Sequence, residues 1–156
     1  MGKFYSTKTY NNDRGLSCCF RQWKAKHSHC SLLHGYSIGV KLVFCCDSLD
    51  ERNWVMDFGG LREFKCWLEQ MFDHTTIVAY DDPMLEVFKE LEKTGVISLR
   101  VVDAVGCERF AELCFNKMKL LLEDGCSLNS SVRIESVEVF EHSGNSAIYE
   151  EQGEKN

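Results

Sequence analysis

A single proline, Pro83, interrupts the 156 residues, and neither a glycine- or serine-rich linker nor an internal repeat divides them. One continuous fold is expected, a single domain over 1–149 with a flexible C-terminal tail over 150–156. No window approaches the roughly 18–20 uninterrupted apolar residues of a membrane span, and the opening MGKFYSTKTYNNDRG has no apolar leader. A cytoplasmic protein with no membrane partner is expected. Positive charge is also scarce: 18 Lys and Arg against 24 Asp and Glu leave a formal net charge of -6. A surface that neutralises many phosphates is therefore excluded, and with it a nucleic-acid partner, although a local basic pocket remains compatible with the balance. No two cysteines stand at C-x-x-C spacing, so a zinc knuckle or thioredoxin-type site lacks its ligands. Nine cysteines is nevertheless many. The number is odd, and it includes the adjacent pairs Cys18-Cys19 and Cys45-Cys46, so most read as reduced, small core hydrophobes.

What is present is the composition of a globular chain, 44% hydrophobic and 27% charged. Residues 34–44 alternate, with His34, Tyr36, Ile38, Val40, Leu42 and Phe44 on one side, which predicts a strand with one buried face. Leu16–Trp23 reads as a second strand and Lys3–Tyr10 as a weaker one. From Gly60 the period changes. Leu61, Phe64, Leu68 and Met71 share one helical face up to about Phe72. Asp82 and Pro83 suit the cap and first position of a short second helix that Gly95 stops. Val96–Val102 is a β-branched run, Phe110, Cys114, Met118 and Leu121 mark a longer helix ending near Gly125, and Val132–Glu141 closes the chain as a strand. This order is α+β, not the strict alternation of a doubly wound sheet.

Three polar clusters stand out. His27-Ser28-His29-Cys30 followed by His34-Gly35-Tyr36 gathers three of the five histidines around a cysteine, behind Arg21, Lys24 and Lys26. Such surroundings stabilise a thiolate and could hold a metal, and a polar loop with one buried thiol would look the same. Asp73-His74 follows the first helix, where carboxylate and imidazole can share a proton, or where His74 can simply favour the helix C-terminus. Glu141 ends the last strand on the side of Val137 and Val139, so its carboxylate is aimed at an apolar region. It needs donors there, from a ligand with a guanidine-like edge or from an internal arginine.

Taken in order, these clusters resemble the 6-pyruvoyltetrahydropterin synthase and 6-carboxytetrahydropterin synthase family, the tunnelling fold or T-fold. The carrying residues are Cys30 before His34-Gly35-Tyr36, Val55-Met56-Asp57-Phe58 opening the first helix, Asp73-His74, Cys107-Glu108 at a helix start, and Glu141. The resemblance covers roughly residues 3–149. Cys30 lies four positions before His34, the spacing of the bacterial carboxy-forming branch that feeds queuosine and other 7-deazapurines.

The resemblance implies an α+β T-fold, an antiparallel sheet with helices packed on one face, closing into an oligomeric barrel as a homo-trimer or homo-hexamer. It implies conversion of 7,8-dihydroneopterin triphosphate to 6-carboxytetrahydropterin, acetaldehyde and triphosphate. Cys30, Asp73 and His74 would be catalytic, while Glu141, Glu108 and Cys107 would bind substrate and Arg21, Lys24 or Lys26 would meet the triphosphate. Family enzymes hold zinc through an early-strand histidine and both histidines of His-Gly-His. Here Phe20 and Tyr36 occupy two of those places, leaving His34, with His29 ahead of His27 as substitutes, for an easily chelated ion. The competing expectation is a non-catalytic or divergent T-fold protein that binds a pterin, purine or nucleotide.

Overall fold

The computed structural model describes residues 2–153. Eight strands and three α-helices follow one another as β1 (Phe4–Tyr10), β2 (Ser17–Phe20), β3 (His34–Ser37), β4 (Gly39–Cys46), α1 (Arg62–Phe72), β5 (Thr75–Ala79), α2 (Leu85–Lys93), β6 (Leu99–Val102), α3 (Cys107–Glu123), β7 (Arg133–His142) and β8 (Asn145–Glu150). They form two four-stranded sheets, ordered β1-β4-β7-β8 and β3-β2-β5-β6. The first is antiparallel throughout. In the second, β2 pairs with β5 and β5 with β6 in parallel, so the expected purely antiparallel sheet holds for only half of the fold. Helix α3 packs on β7 and β8, α1 reaches β5 and α3, and α2 lies on β5 and β6. Among the described residues no helix is long and apolar enough to cross a membrane.

The run 34–44 is two strands. Alternation continues through it, with Ile38, Val40, Leu42 and Phe44 fully buried, but the chain turns at Ile38, whose N–H donates to the Leu16 carbonyl at 3.1 Å. His34 and Tyr36 thereby join the second sheet while Val40 onward enters the centre of the first. Asn12 braces the corner: its side-chain amide donates to the carbonyls of Ser37 at 2.7 Å and Phe140 at 3.3 Å.

Two strands have no counterpart among the expected elements. Thr75–Ala79 is buried at every position, the pattern of a strand covered on both faces, where alternation gives no signal. Its threonines are satisfied locally, Thr75 donating to the Met71 carbonyl at 2.8 Å and Thr76 bonding Cys19 at 3.2 Å. Strand β8 follows β7 through a tight turn, so β7 does not close the chain and the anticipated tail begins on the last residue of β8; residues 154–156 of that tail lie outside the described residues. The second helix starts at Leu85, later than Asp82-Pro83 suggested, because a turn comes first, closed by the Leu85 N–H donating at 3.0 Å to the carbonyl of Asp82. Its carboxylate accepts from Arg21 Nε at 2.9 Å, Arg21 Nη2 at 2.6 Å and the Met84 N–H at 2.9 Å.

Helical spacing places Phe64, Leu68 and Phe72 of α1, and Phe110, Cys114, Phe115, Met118 and Leu121 of α3, in the core. Burying one such phenylalanine contributes about 1.5–3 kcal/mol. The entry to α1 is a short 3-10 turn, Phe58–Leu61, capped by Asp57, whose carboxylate accepts from the Gly59 N–H at 2.9 Å. Gly60 has no room for a side chain, since a Cβ there would run into the backbone carbonyl of Cys126. Gly60→Ala should therefore cost about 1–3 kcal/mol of unfolding free energy through overpacking, as read by urea denaturation; an unchanged midpoint would show that the 126 loop can yield.

Candidate active site

The end of β2, the turn at His29–Ser31, the start of α3 and the β7–β8 turn enclose a cleft of about 420 Å³. Phe20, Cys30, Tyr36, Cys107, Glu108 and Glu141 line it. Of the six expected catalytic and substrate-binding positions, Cys30, Cys107, Glu108 and Glu141 meet here, and Asp73 and His74 do not. Each of the four is brought in by a local device. Cys30 sits in a single turn in which the Ser28 hydroxyl accepts from the Cys30 N–H at 3.1 Å, while the Cys30 carbonyl accepts from the Gln22 N–H at 2.9 Å. The thiol is exposed, not buried. Gly106, at φ 118°, takes a conformation that disfavours any side chain and so turns the chain sharply into α3 with Cys107 and Glu108 at its first positions. Glu141 lies in a register irregularity between Phe140 and His142, a bulge of the kind that re-aims a side chain at a sheet edge.

No arginine or lysine pairs with Glu141 among the described residues, so the internal-arginine alternative drops out. Its negative charge is felt by its neighbours instead. Burial, followed by the charges of Glu141 and then Cys30, pushes the Tyr36 phenol up to about 12. Burial, then Glu141 and Glu108, pushes the Cys107 thiol up to about 11, so Cys107 is a neutral wall of the cleft and not a thiolate.

Where the resemblance implies zinc, the structure has an aromatic stack. Phe20 and His34 are cross-strand partners on β2 and β3. The Tyr36 ring lies on Phe20, with centroids 4.2 Å apart and planes 13° from parallel, and Phe110 meets Phe20 edge-on at 4.9 Å. His34 Nδ1 lies 2.8 Å from the Leu32 carbonyl, which can only accept, so Nδ1 carries the proton and Nε2 the lone pair. That lone pair accepts the hydrogen bond of the Tyr36 hydroxyl. His27 and His29 are both exposed, and no set of three His, Cys, Asp or Glu side chains converges anywhere among the described residues. The anticipated ligand set of His34, His29 and His27 is therefore not assembled. A tetrahedral site with three protein ligands does not fit these residues, because two positions are filled by stacked rings and the one imidazole is already bonded at both nitrogens.

Asp73 and His74 form the expected pair, His74 Nδ1 lying 2.6 Å from Asp73 Oδ1. The left-handed backbone of His74, φ 56°, turns the imidazole back toward the carboxylate, and its N–H donates to the Ser17 carbonyl at 2.6 Å. This anchors the pair at the Ser17 end of β2, where Tyr36 is the register partner of Cys18, while the Cys30 turn lies past the Phe20 end, tied there through the Gln22 N–H. Neither Asp73 nor His74 lines the Cys30–Glu141 cleft of the same chain. Of the basic residues expected at the triphosphate, Arg21 is held by Asp82, Lys24 by Asp81 at 3.1 Å, and Lys26 is exposed and does not line the cleft.

Several buried acids share the neutral state of Tyr36 and Cys107. Burial pushes the Tyr10 phenol up to about 12, as burial and the nearby Cys19 and Cys107 do for the Cys18 thiol. In the unfolded chain such groups lose protons from their ordinary values of 10.0 and 9.0, earlier than in the fold. Their neutral forms therefore add stability that is fully present below pH 9 and is lost as pH rises toward 12. Denaturation under reducing conditions should give a flat unfolding free energy from neutrality to that lower bound and a steady fall above it; a fall that begins near neutrality would contradict this assignment.

A family model described as 6-pyruvoyl tetrahydropterin synthase matches residues 10–152. The chain is 29% identical over 125 residues to the 6-carboxy-5,6,7,8-tetrahydropterin synthase of Aquifex aeolicus, covering 79% of this chain and 76% of that protein. It is 32% identical over 54 residues to the enzyme of the same description from Rickettsia conorii, covering 34% of this chain and 39% of that one. An uncharacterized protein of Wolinella succinogenes superposes with a TM-score of 0.81 at 18% identity, over 97% of this chain and 100% of the other. A catalytic-residue mutant of Plasmodium vivax 6-pyruvoyltetrahydropterin synthase superposes with a TM-score of 0.65 at 16% identity, over 98% of this chain and 100% of its own. Since the family model spans nearly the whole chain and the strands it covers build the same fold, the chain belongs to the 6-pyruvoyl tetrahydropterin synthase family of enzymes.

Proposed function

We propose that this protein is a 6-carboxy-5,6,7,8-tetrahydropterin synthase-like enzyme of 7-deazapurine biosynthesis, the queuosine type, working in the cytoplasm. It converts 7,8-dihydroneopterin triphosphate to 6-carboxytetrahydropterin with release of acetaldehyde and triphosphate. The observation that carries this reading is Glu141, a carboxylate without a cation, turned by a bulge into a cleft beside Cys30, Tyr36 and Cys107. A pterin presents adjacent N–H donors, the complement of such a carboxylate, and a charge-assisted pair of bonds fixes the ring while its side chain reacts. Glu108 and Cys107 border the ring, and Cys30, exposed at the mouth, is the base for the carbon-bound proton.

The residues do not fit zinc, and no step here uses it. Polarisation of a substrate hydroxyl falls instead to Tyr36 and His34. The hydroxyl passes its proton to the Tyr36 oxygen as Tyr36 passes its own to His34 Nε2, leaving an imidazolium held by the Leu32 carbonyl. Protein purified without chelator should then carry zinc well below one ion per chain, and the joint change Phe20→His with Tyr36→His should raise it, both read by elemental analysis. Near-stoichiometric zinc in the wild type would remove the relay.

Assembly completes the site in this reading. β1 and β8 are the free edges of the antiparallel sheet, and Phe4, Tyr5 and Ile148 are exposed along them. Such edges are expected to pair. Tyr10 pairs with Val40, Val40 with Val139 and Val139 with Ala147, so Tyr10 and Ala147 stand on one rung at opposite edges. Edge-to-edge closure of a homo-trimer, or a hexamer of two, would bring the Tyr10 end of one subunit, with Asp73 and His74 near it, against the Ala147 end and Glu141 cleft of the next. His74, steered by Asp73, is then the second proton-transfer group. The second reading, a T-fold protein that binds a pterin or nucleotide without turnover, is favoured by one observation, the Tyr36 hydrogen bond that occupies the His34 lone pair.

Turnover of dihydroneopterin triphosphate, followed by acetaldehyde, separates the two. Cys30→Ala and His74→Ala should each abolish it, and mixing the two inactive proteins under exchange should restore part of it. Glu141→Gln should weaken pterin binding by about tenfold, the loss of one charged hydrogen bond. Binding of a pterin, purine or nucleotide without any turnover would leave the binding protein; no affinity for any of them would sink both.

A further inference from the structure

A pocket of about 350 Å³ opens between edge strand β1, the turn at Asn12–Arg14 and the first turns of α1. Its floor is apolar, with Tyr10, Leu16, Leu61 and Leu68 all buried. Around it stand Lys8, Arg14, Arg62 and Lys65, opposed only by Glu69 and Asp73. In a chain of formal net charge -6 this is a local reversal of sign.

The cations here include both of the unspent arginines. Of the seven arginines, Arg21 is held by Asp82, Arg52 by Asp50, Arg109 by Glu112 and Arg133 by Asp47, while Arg100 donates to the carbonyls of Gln70 and Leu99. The remaining two, Arg14 and Arg62, have no side-chain partner among the described residues, and both line this pocket. Lys8 meets no carboxylate either; its ammonium lies over the rings of Tyr10 at 5.6 Å and Phe58 at 5.9 Å, contacts that hold it at the rim. Lys65 reaches Glu69 only at 4.0 Å. Arg62 and Lys65 occupy the first turn of α1, where the helix dipole repels cations and favours an anion. An arrangement that is unfavourable on its own becomes favourable once a polyanion sits among these groups, and guanidinium forks match phosphate oxygens in pairs.

The geometry points to this pocket as the seat of the substrate's triphosphate, an oligophosphate ester gripped by Arg14, Arg62, Lys8 and Lys65 while its pterin ring lies on Glu141 of the adjoining subunit. The inference rests on the pterin reading and the edge-paired assembly proposed above. Two features join the pocket to that site. Asp73 lines it and also orients His74. Tyr10, on its floor, shares a rung with Ala147 of the Glu141 cleft. Arg21 and Lys24, by contrast, are already neutralised.

Calorimetry on the full chain tests it with three probes: inorganic tripolyphosphate, 7,8-dihydroneopterin and dihydroneopterin triphosphate. The double variant Arg14→Gln, Arg62→Gln removes side chains that bond nothing in the fold, so its folding is retained, and circular dichroism checks that. It should bind tripolyphosphate and the triphosphate ester at least about tenfold more weakly, with a shallower dependence on salt, while dihydroneopterin affinity stays as in the wild type. Arg52→Gln, at a distant ion pair, should change none of the three. Equal affinity of wild type and double variant for the ester overturns the assignment, and if tripolyphosphate binding is nevertheless lost the pocket serves free oligophosphate instead. Failure of the pterin reading registers separately, as dihydroneopterin binding that Glu141→Gln does not weaken.

Discussion

The corner at Ile38 is the constraint on which the other features hang. A fully buried side chain at that position, a backbone bond to Leu16 and the Asn12 amide bridging Ser37 and Phe140 force one continuous alternating segment to serve two sheets. The residues after the corner form the middle of the antiparallel sheet and are committed to packing. Those before it, His34 and Tyr36, are held at the rim of the mixed sheet, half-buried, with Tyr36 lining the cleft that the Glu141 bulge closes and His34 bonded behind it. Without the turn, the alternation would carry all six inward residues into one core face, and there would be no polar rim for a substrate.

Charge is distributed in the same divided manner. The cleft is walled by acids kept neutral, Tyr36 and Cys107, beside two carboxylates, Glu141 and Glu108; the field of Glu141 reinforces the neutrality of both, and Glu108 that of Cys107. The cations stand elsewhere, at the free edge of β1 and the start of α1. A single subunit thus presents an acceptor-rich surface at one end of its sheet ladder and a donor-rich surface at the other, on the same rung. For a substrate with a donor-rich ring and a polyanionic tail, neither surface is sufficient. In the proposed assembly the complementarity arises between neighbouring copies, which would give the unpaired edges a functional reason as well as an energetic one.

Much of this was legible in the sequence, for identifiable reasons. Helices α1 and α3 followed from apolar residues at helical spacing, and Cys30, Glu141 and the Asp73-His74 pair from clusters of chemistry at element ends. The corner was not, since the alternation passes through it without a break. Strand β5 was hidden by its complete burial and β8 by the opposite, a polar edge with Asn145, Ser146, Ile148 and Glu150 exposed. The start of α2 was misplaced because Asp82, which accepts the Met84 N–H as a cap would while also binding Arg21, 61 positions away, closes a separate turn before the helix begins. The cation pocket could not be seen either: Lys8, Arg14 and Arg62 are unremarkable in isolation and converge only when β1 and α1 are laid side by side.

The aromatic residues at the implied zinc positions behave as a matched set. An aromatic ring at one of the two places alone would leave an imidazole facing a hydrocarbon surface with its lone pair unused, a cost of a buried polar group without a partner. With both exchanged, Phe20 and Tyr36 stack on one another, Phe110 closes the edge of the stack, and the single hydroxyl introduced is the one that occupies His34. The polar accounting therefore balances without an ion. The stack also supplies what a metal would otherwise have supplied structurally, a fixed distance between β2 and β3 at the mouth of the cleft. Chemically the substitution is not equivalent. A divalent ion stabilises alkoxide charge directly, whereas a neutral phenol bonded to an imidazole only moves a proton, and its driving force is set by how well the Leu32 carbonyl holds the imidazolium that results. In the proposed relay the rate of the hydroxyl step is thus tied to the geometry of the 32–34 turn, and through that turn to the same corner at Ile38.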